Sequence, residues 1–111
     1  MHELALAEGI LRIICEEQEK NGFDRVLELR LGLGECSGVE PECFREFFPY
    51  AAKGTCAEGA KLSFRTIPAR FVCQSCGGEI RGREICCPAC GSLALRMTEG
   101  TEFRLESLNV E

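Results

Sequence analysis

Four cysteines stand in two matched pairs. Cys73-Gln74-Ser75-Cys76-Gly77 and Cys87-Pro88-Ala89-Cys90-Gly91 repeat one pattern, with ten residues separating Cys76 from Cys87. Two cysteines three apart place both sulfurs on one side of a tight turn. The glycine after each pair permits a left-handed backbone, which lets amides point back at sulfur. Two such knuckles supply four thiolates, the closed shell of a structural zinc site. A shell filled by protein leaves no position for water, so such a metal holds structure and hydrolyses nothing. Iron could fill the same four-sulfur shell. A redox role for one pair would leave the repeat unexplained. Cys86 adjoins Cys87, but only Cys87 has the three-residue spacing to Cys90.

A second feature is the sole histidine, His2. In a frayed terminus it could be an accident of position. Yet the amine of Met1, the backbone nitrogen of His2 and its imidazole can close adjacent chelate rings on one ion. Nitrogen donors in a plane suit Ni(II) or Cu(II), and Glu3 could add a further donor.

These groups need a scaffold, and the apolar pattern supplies one. Residues 4–21 read as an amphipathic helix, with Leu6, Ile10, Leu11, Ile13 and Ile14 on its apolar face and Asn21-Gly22 as its stop. From Val26 to Leu33 the pattern alternates. Leu27, Leu29, Leu31 and Leu33 should share the buried face of a strand, opposite Glu28 and Arg30. Pro41 suits the first turn of a second helix. Cys43, Phe44, Phe47, Phe48 and Ala51 would form its apolar face, with Cys43 a small core residue. Leu62 and Phe64 mark a strand ending near Pro68. Leu93 and Leu95 read as the last strand of a small hairpin. Phe103 and Leu105 open a final strand, whose phase slips at Ser107 as a bulge would make it.

The order helix, strand, helix, strand, cysteine hairpin, strand implies an α+β fold. Two helices would cover a three-stranded sheet, with the four-cysteine ribbon inserted before the last strand. The expected division is a body of residues 1–68 plus 98–111 and a metal domain of residues 69–97.

The chain has 111 residues and a net charge of -5. Residues 67–97 carry four arginines and two glutamates, a mild basic excess inside an acidic protein. A pI near 5.0 and the absence of an aromatic stacking platform in the ribbon argue against nucleic acid as a partner. The rival to a metal carrier is nonetheless a zinc-ribbon module that docks nucleic acid or protein. No nucleophile–base set or Walker-type phosphate loop marks an enzyme. No apolar run spans a membrane and no signal peptide is evident, so a cytoplasmic protein is expected. Nine cysteines in a reducing compartment point to metal rather than disulfides.

The opening Met1-His2-Glu3-Leu4-Ala5-Leu6-Ala7-Glu8-Gly9-Ile10 resembles that of the HypA/HybF family of hydrogenase-maturation nickel chaperones. So do Gly34-Glu35-Cys36-Ser37-Gly38-Val39-Glu40-Pro41-Glu42 and Gly54-Thr55-Cys56-Ala57-Glu58-Gly59-Ala60-Lys61-Leu62, and the knuckles fall where that family has its zinc domain. The resemblance covers essentially the whole chain. It implies a nickel-binding domain with an inserted zinc domain. His2 matches the family's essential nickel ligand, helped by the Met1 amine and Glu3, and Glu40 matches a carboxylate position near nickel in some members. Zn(II) would be structural at Cys73, Cys76, Cys87 and Cys90, and Ni(II) transported. The implied partners are the GTPase HypB and the [NiFe]-hydrogenase large subunit precursor, with urease a client of some members. A monomer or weak homodimer would suffice. Some relatives use another histidine near the zinc domain, which this chain lacks.

Overall fold

The computed structural model describes residues 3–82 and 84–111. Its elements are α1 (Glu3–Asn21), β1 (Val26–Gly34), α2 (Pro41–Ala52), β2 (Lys61–Ile67), β3 (Arg70–Cys73), β4 (Glu79–Arg81), β5 (Leu95–Glu99) and β6 (Phe103–Val110). They form two three-stranded sheets, ordered β2-β1-β6 and β4-β3-β5. The first sheet and both helices make the body, and the second sheet makes the cysteine ribbon. This is the α+β arrangement expected from the sequence.

Each body element follows from its residues. α1 buries Ala7, Ile10, Leu11 and Ile14, one stripe at helical spacing. It stops where Gly22 takes a φ of 69°. Pro41 opens α2, and the Glu40 side chain accepts a hydrogen bond from the Glu42 amide at 3.1 Å, which caps the helix. β1 runs parallel to β2 and antiparallel to β6. The chain therefore leaves the sheet after β2, builds the ribbon, and comes back beside β1 as β6.

Three details differ from the expected pattern. Leu27 is 38% exposed, while Val26 is buried. Val26 pairs with Val110 but Glu28 pairs with Asn109, so Leu27 is the extra residue of a bulge and loses its place on the buried face. Cys43 is exposed rather than a core residue. Phe44 and Phe48 alone of the α2 aromatics are fully buried, and Cys43 points away from them. Ile13 is 43% exposed, because α1 has too few neighbours to cover its whole apolar arc.

The expected slip in β6 is present one residue earlier. Arg30 pairs with Ser107 and Leu31 with Leu105, which leaves Glu106 as the extra residue. Its carboxylate crosses the sheet over Gly32, where an added Cβ would lie 2.8 Å from it, and meets Arg65 on β2. The Arg65 guanidinium holds the Glu106 carboxyl below the usual carboxylate range.

The core centres on Phe44. Its ring lies 5.6 Å from Phe48, 6.3 Å from Phe64 and 5.2 Å from Phe103. One α2 side chain thus ties the helix to β2 and to β6, the strand that returns from the ribbon. The ribbon has its own small core, where Phe71 and Leu95 pack on Cys73, Ile80 and Cys87. The molecule measures 54 × 26 × 18 Å with a radius of gyration of 17.6 Å. A single compact body of this length would have about 13 Å, so the ribbon stands off the end of the body.

Phe44→Ala should destabilise the body by about 3–5 kcal/mol, since it empties the point where three elements meet. Urea unfolding followed by helix circular dichroism would measure the loss. The ribbon, with a separate core, should keep its metal at denaturant concentrations that unfold the body of this variant.

Candidate metal centre

The two knuckles are built alike. Cys73 begins its knuckle at the end of β3, with its amide donating to the Gly78 carbonyl at 3.0 Å. The Cys87 amide donates to the Ser92 carbonyl at 2.8 Å, the same five-residue reach. Gly77 and Gly91 donate to the carbonyls of Cys73 and Cys87, each at 2.8 Å. Both glycines have a φ of 76°, a conformation that a side chain at either position would strain. The knuckles are then joined by Ser75 and Ser92, whose hydroxyls lie 2.8 Å apart. The Gln74 amide also donates to the Ala94 carbonyl at 2.8 Å.

This construction brings four sulfurs together. The ligand atoms of Cys73, Cys76, Cys87 and Cys90 all lie within 4.8 Å of one another. The Sγ atoms of Cys73 and Cys90 are 3.5 Å apart, and those of Cys76 and Cys87 are 3.7 Å apart. A tetrahedron of thiolates around zinc has edges of about 3.8 Å, given Zn–S bonds of about 2.3 Å. The donor set and its spacing therefore fit one tetrahedral, thiolate-bound ion. Cys73 and Cys87 are buried, while Cys76 and Cys90 are exposed, so the cluster has one inner and one outer side. Cys86 is exposed and lies outside the group, so the four-sulfur set contains Cys87 and not its neighbour.

The backbone prepares the sulfurs for a cation. The Cys76 amide, followed by that of Ser75, draws the Cys73 thiol down to about 6 against its burial. The Cys90 amide, followed by that of Ala89, lowers Cys87 in the same way. At Cys90 the Ser92 amide favours the thiolate, but the Cys73 sulfur, burial and the other two sulfurs together push it up to about 12. Four thiolates cannot all stay charged without a cation between them. An entering metal ion must therefore displace protons from the set.

Of the residues expected at the second site, Glu3 and Glu40 are among the described ones. Met1 and His2 lie outside the described residues. Glu3 sits half-buried in the first turn of α1. Glu40 is exposed and spends one carboxylate oxygen on the α2 cap. Among the described residues, Glu3 and Glu40 join no group of three or more metal-binding side chains, and the four cysteines are the one such group. Ser75 and Ser92 were not singled out from the sequence. The position of each relative to the knuckle cysteines is the signal that could have marked them. Among the described residues, no helix is long and apolar enough to cross a membrane.

Replacing either buried cysteine, Cys73→Ser or Cys87→Ser, should abolish stoichiometric metal binding, whereas Cys86→Ser should leave it intact. Elemental analysis of the purified variants separates these outcomes. Metal retention should also fall as the pH is lowered, because protons compete for the thiolates. Competition with a chromophoric chelator across a pH series would show it.

Comparison with known proteins agrees with this architecture. The family model described as "HypA: Hydrogenase/urease nickel incorporation, metallochaperone, hypA" matches residues 1–110. The hydrogenase maturation factor HypA of Acidithiobacillus ferrooxidans is 41% identical over 113 aligned positions, covering all of both chains. That of Azotobacter vinelandii is 39% identical, again over all of both chains. Among solved structures, the solution structure of the Ni metallochaperone HypA from Helicobacter pylori matches with a TM-score of 0.75 at 23% identity. It covers 99% of this chain and 97% of that one. A further HypA solution structure matches with a TM-score of 0.80 at 23% identity, covering 100% and 97%. A family model over residues 1–110 and relatives near 40% identical over their whole length lead to one assignment: the chain belongs to the HypA family of metallochaperones for hydrogenase and urease nickel incorporation.

Proposed function

We propose that this protein carries Ni(II) at its amino terminus and delivers it to the [NiFe]-hydrogenase large subunit precursor, with HypB supplying the GTP-dependent step. The observation that carries this reading is family membership over the whole chain, under a model described by nickel incorporation. The Met1 amine, the backbone and imidazole nitrogens of His2, and Glu3 are the proposed nickel donors. Glu40 is a proposed further contributor, using the oxygen that does not cap α2. Donors at a chain end are few and mobile, which suits an ion that must be handed on. Urease is the alternative client.

The proposed resident ion is Zn(II), held by Cys73, Cys76, Cys87 and Cys90. Four thiolates from one closed ribbon suit a metal that stays in place. Its role is to keep the ribbon rigid for recognition by a partner. Ile85 and Leu93 support that role, being 88% and 75% exposed on ribbon loops where a contact would cover them. The proposed division is a body of residues 1–68 with 98–111, of which Thr98 and Glu99 finish the ribbon strand β5, and a metal domain of residues 69–97, acting in the cytoplasm without catalytic turnover.

Nickel titration of protein with its native start, monitored by calorimetry and elemental analysis, tests this reading. The unmodified chain should take up one nickel and keep one zinc. His2→Ala, and separately a short extension ahead of Met1, should each abolish nickel uptake and leave zinc unchanged. Unchanged nickel affinity in both variants would refute the terminal site.

A further inference from the structure

The connection between body and ribbon is a pair of chain crossings, inward through Ile67–Ala69 and outward through Gly100–Glu102. Two crossings alone would leave the ribbon free to swing, and relative motion is the default for units that share little surface. Here the turn after β1 touches both crossings. On the inward side, the Glu35 amide donates to the Ile67 carbonyl at 2.8 Å, and a Glu35 carboxylate oxygen accepts from the Ala69 amide at 3.1 Å. On the outward side, the Gly34 amide donates to the Glu102 carbonyl at 2.7 Å and the Cys36 amide to the Gly100 carbonyl at 2.6 Å.

Space at this junction is exhausted. A Cβ on Gly34 would lie 2.2 Å from the Gly100 carbonyl oxygen and 2.6 Å from the Glu102 nitrogen. A Cβ on Gly100 would lie 2.9 Å from the Ala69 Cα, and Gly100 has a φ of 126°. These are backbone contacts, so no side chain can turn aside to make room. Ala69 is fully buried, with Ile67 and Leu33 nearly so. The Gly100 amide is itself held by a Glu102 carboxylate oxygen at 2.7 Å. On the ribbon side, the Gly82 amide donates to the Ala69 carbonyl at 3.3 Å, which ties the residue after β4 to the same crossing.

We propose that the Gly34–Cys36 turn is a clasp that locks the ribbon to the body, so that the two tumble as one object with a fixed mutual orientation. Glycine at positions 34 and 100 is what allows the backbones to close on each other. The clasp lies at the end of the central strand and at the start of the loop leading to Glu40 and α2. The ribbon is therefore carried at a set distance and direction from the amino end of α2. A partner that touches both parts meets one composite surface rather than two tethered ones. This inference is independent of which ion, if any, binds at the amino terminus.

Residual dipolar couplings and nitrogen-15 relaxation of the full zinc-loaded chain test it. Amides of α1, α2 and β1 and those of β3–β5 should fit a single alignment tensor, and the Glu35 and Cys36 amides should exchange slowly with solvent. Gly34→Ala and Gly100→Ala should each break the common tensor, the ribbon's degree of order falling below the body's, with zinc content and helix signal retained. If either glycine variant fails to fold, Glu35→Ala removes the acceptor at Ala69 and should lower the ribbon's order in the same direction. Two separate tensors in the unmodified chain would overturn the proposal. So would a single tensor kept by every folded variant.

Discussion

The structure depends on β1 pairing with strands from both sides of the ribbon. Its parallel neighbour β2 is the last strand before the ribbon, and its antiparallel neighbour β6 is the first after it. The body cannot complete its sheet until the ribbon segment has been traversed. The ribbon in turn has both ends fixed to adjacent rungs of that sheet. Phe44 reinforces the constraint, since its ring packs against aromatics from β2 and β6 alike. A small chain that buries only a modest core gains from this closure, because one aromatic hub supports both pairings.

The two halves are stabilised by different physics. The body relies on apolar burial, with Ile14, Leu29, Leu31, Phe44 and Phe48 almost fully out of water. The ribbon buries little beyond Cys73, Ile80 and Cys87. It relies instead on four sulfurs whose charges must be balanced by an ion. The amides of Ser75, Cys76, Ala89 and Cys90 favour thiolate at the first cysteine of each knuckle, and the crowding falls on Cys90. A site of this kind binds when deprotonated and gives up its metal to acid, as a closed structural centre does.

Much of the chemistry was legible in the chain because it is local. Each knuckle is complete within six residues, from Cys73 to Gly78 and from Cys87 to Ser92, and its glycines and amides need no distant partner. The same holds for the α2 start, where Glu40, Pro41 and Glu42 settle the cap among themselves. The spacing that favoured Cys87 over Cys86 agrees with the four-sulfur group for the same reason. The amino-terminal motif is also local, but its role rests on family resemblance and on Met1 and His2, which lie outside the described residues.

Period-two alternation placed Leu27 with Leu29, Leu31 and Leu33, yet Leu27 faces water. Whether a strand carries an extra residue is decided by its partner, and here the partner residues are Asn109 and Val110 at the far end of the chain. Cys43 likewise looked apolar by helical spacing, but only the packing of α2 on β2 and β6 decides which part of its arc is covered. The clasp at Gly34 and Gly100 was out of reach for the same reason, since two glycines 66 positions apart signal nothing until their backbones meet. The sequence by itself determined the helices, the alternating strands and the four-thiolate knuckles, because their forces act between near neighbours in the chain. The tertiary structure alone decided the bulge at Leu27, the exposed residues and the orientation of the ribbon, because those are set by the contacts of segments far apart in sequence.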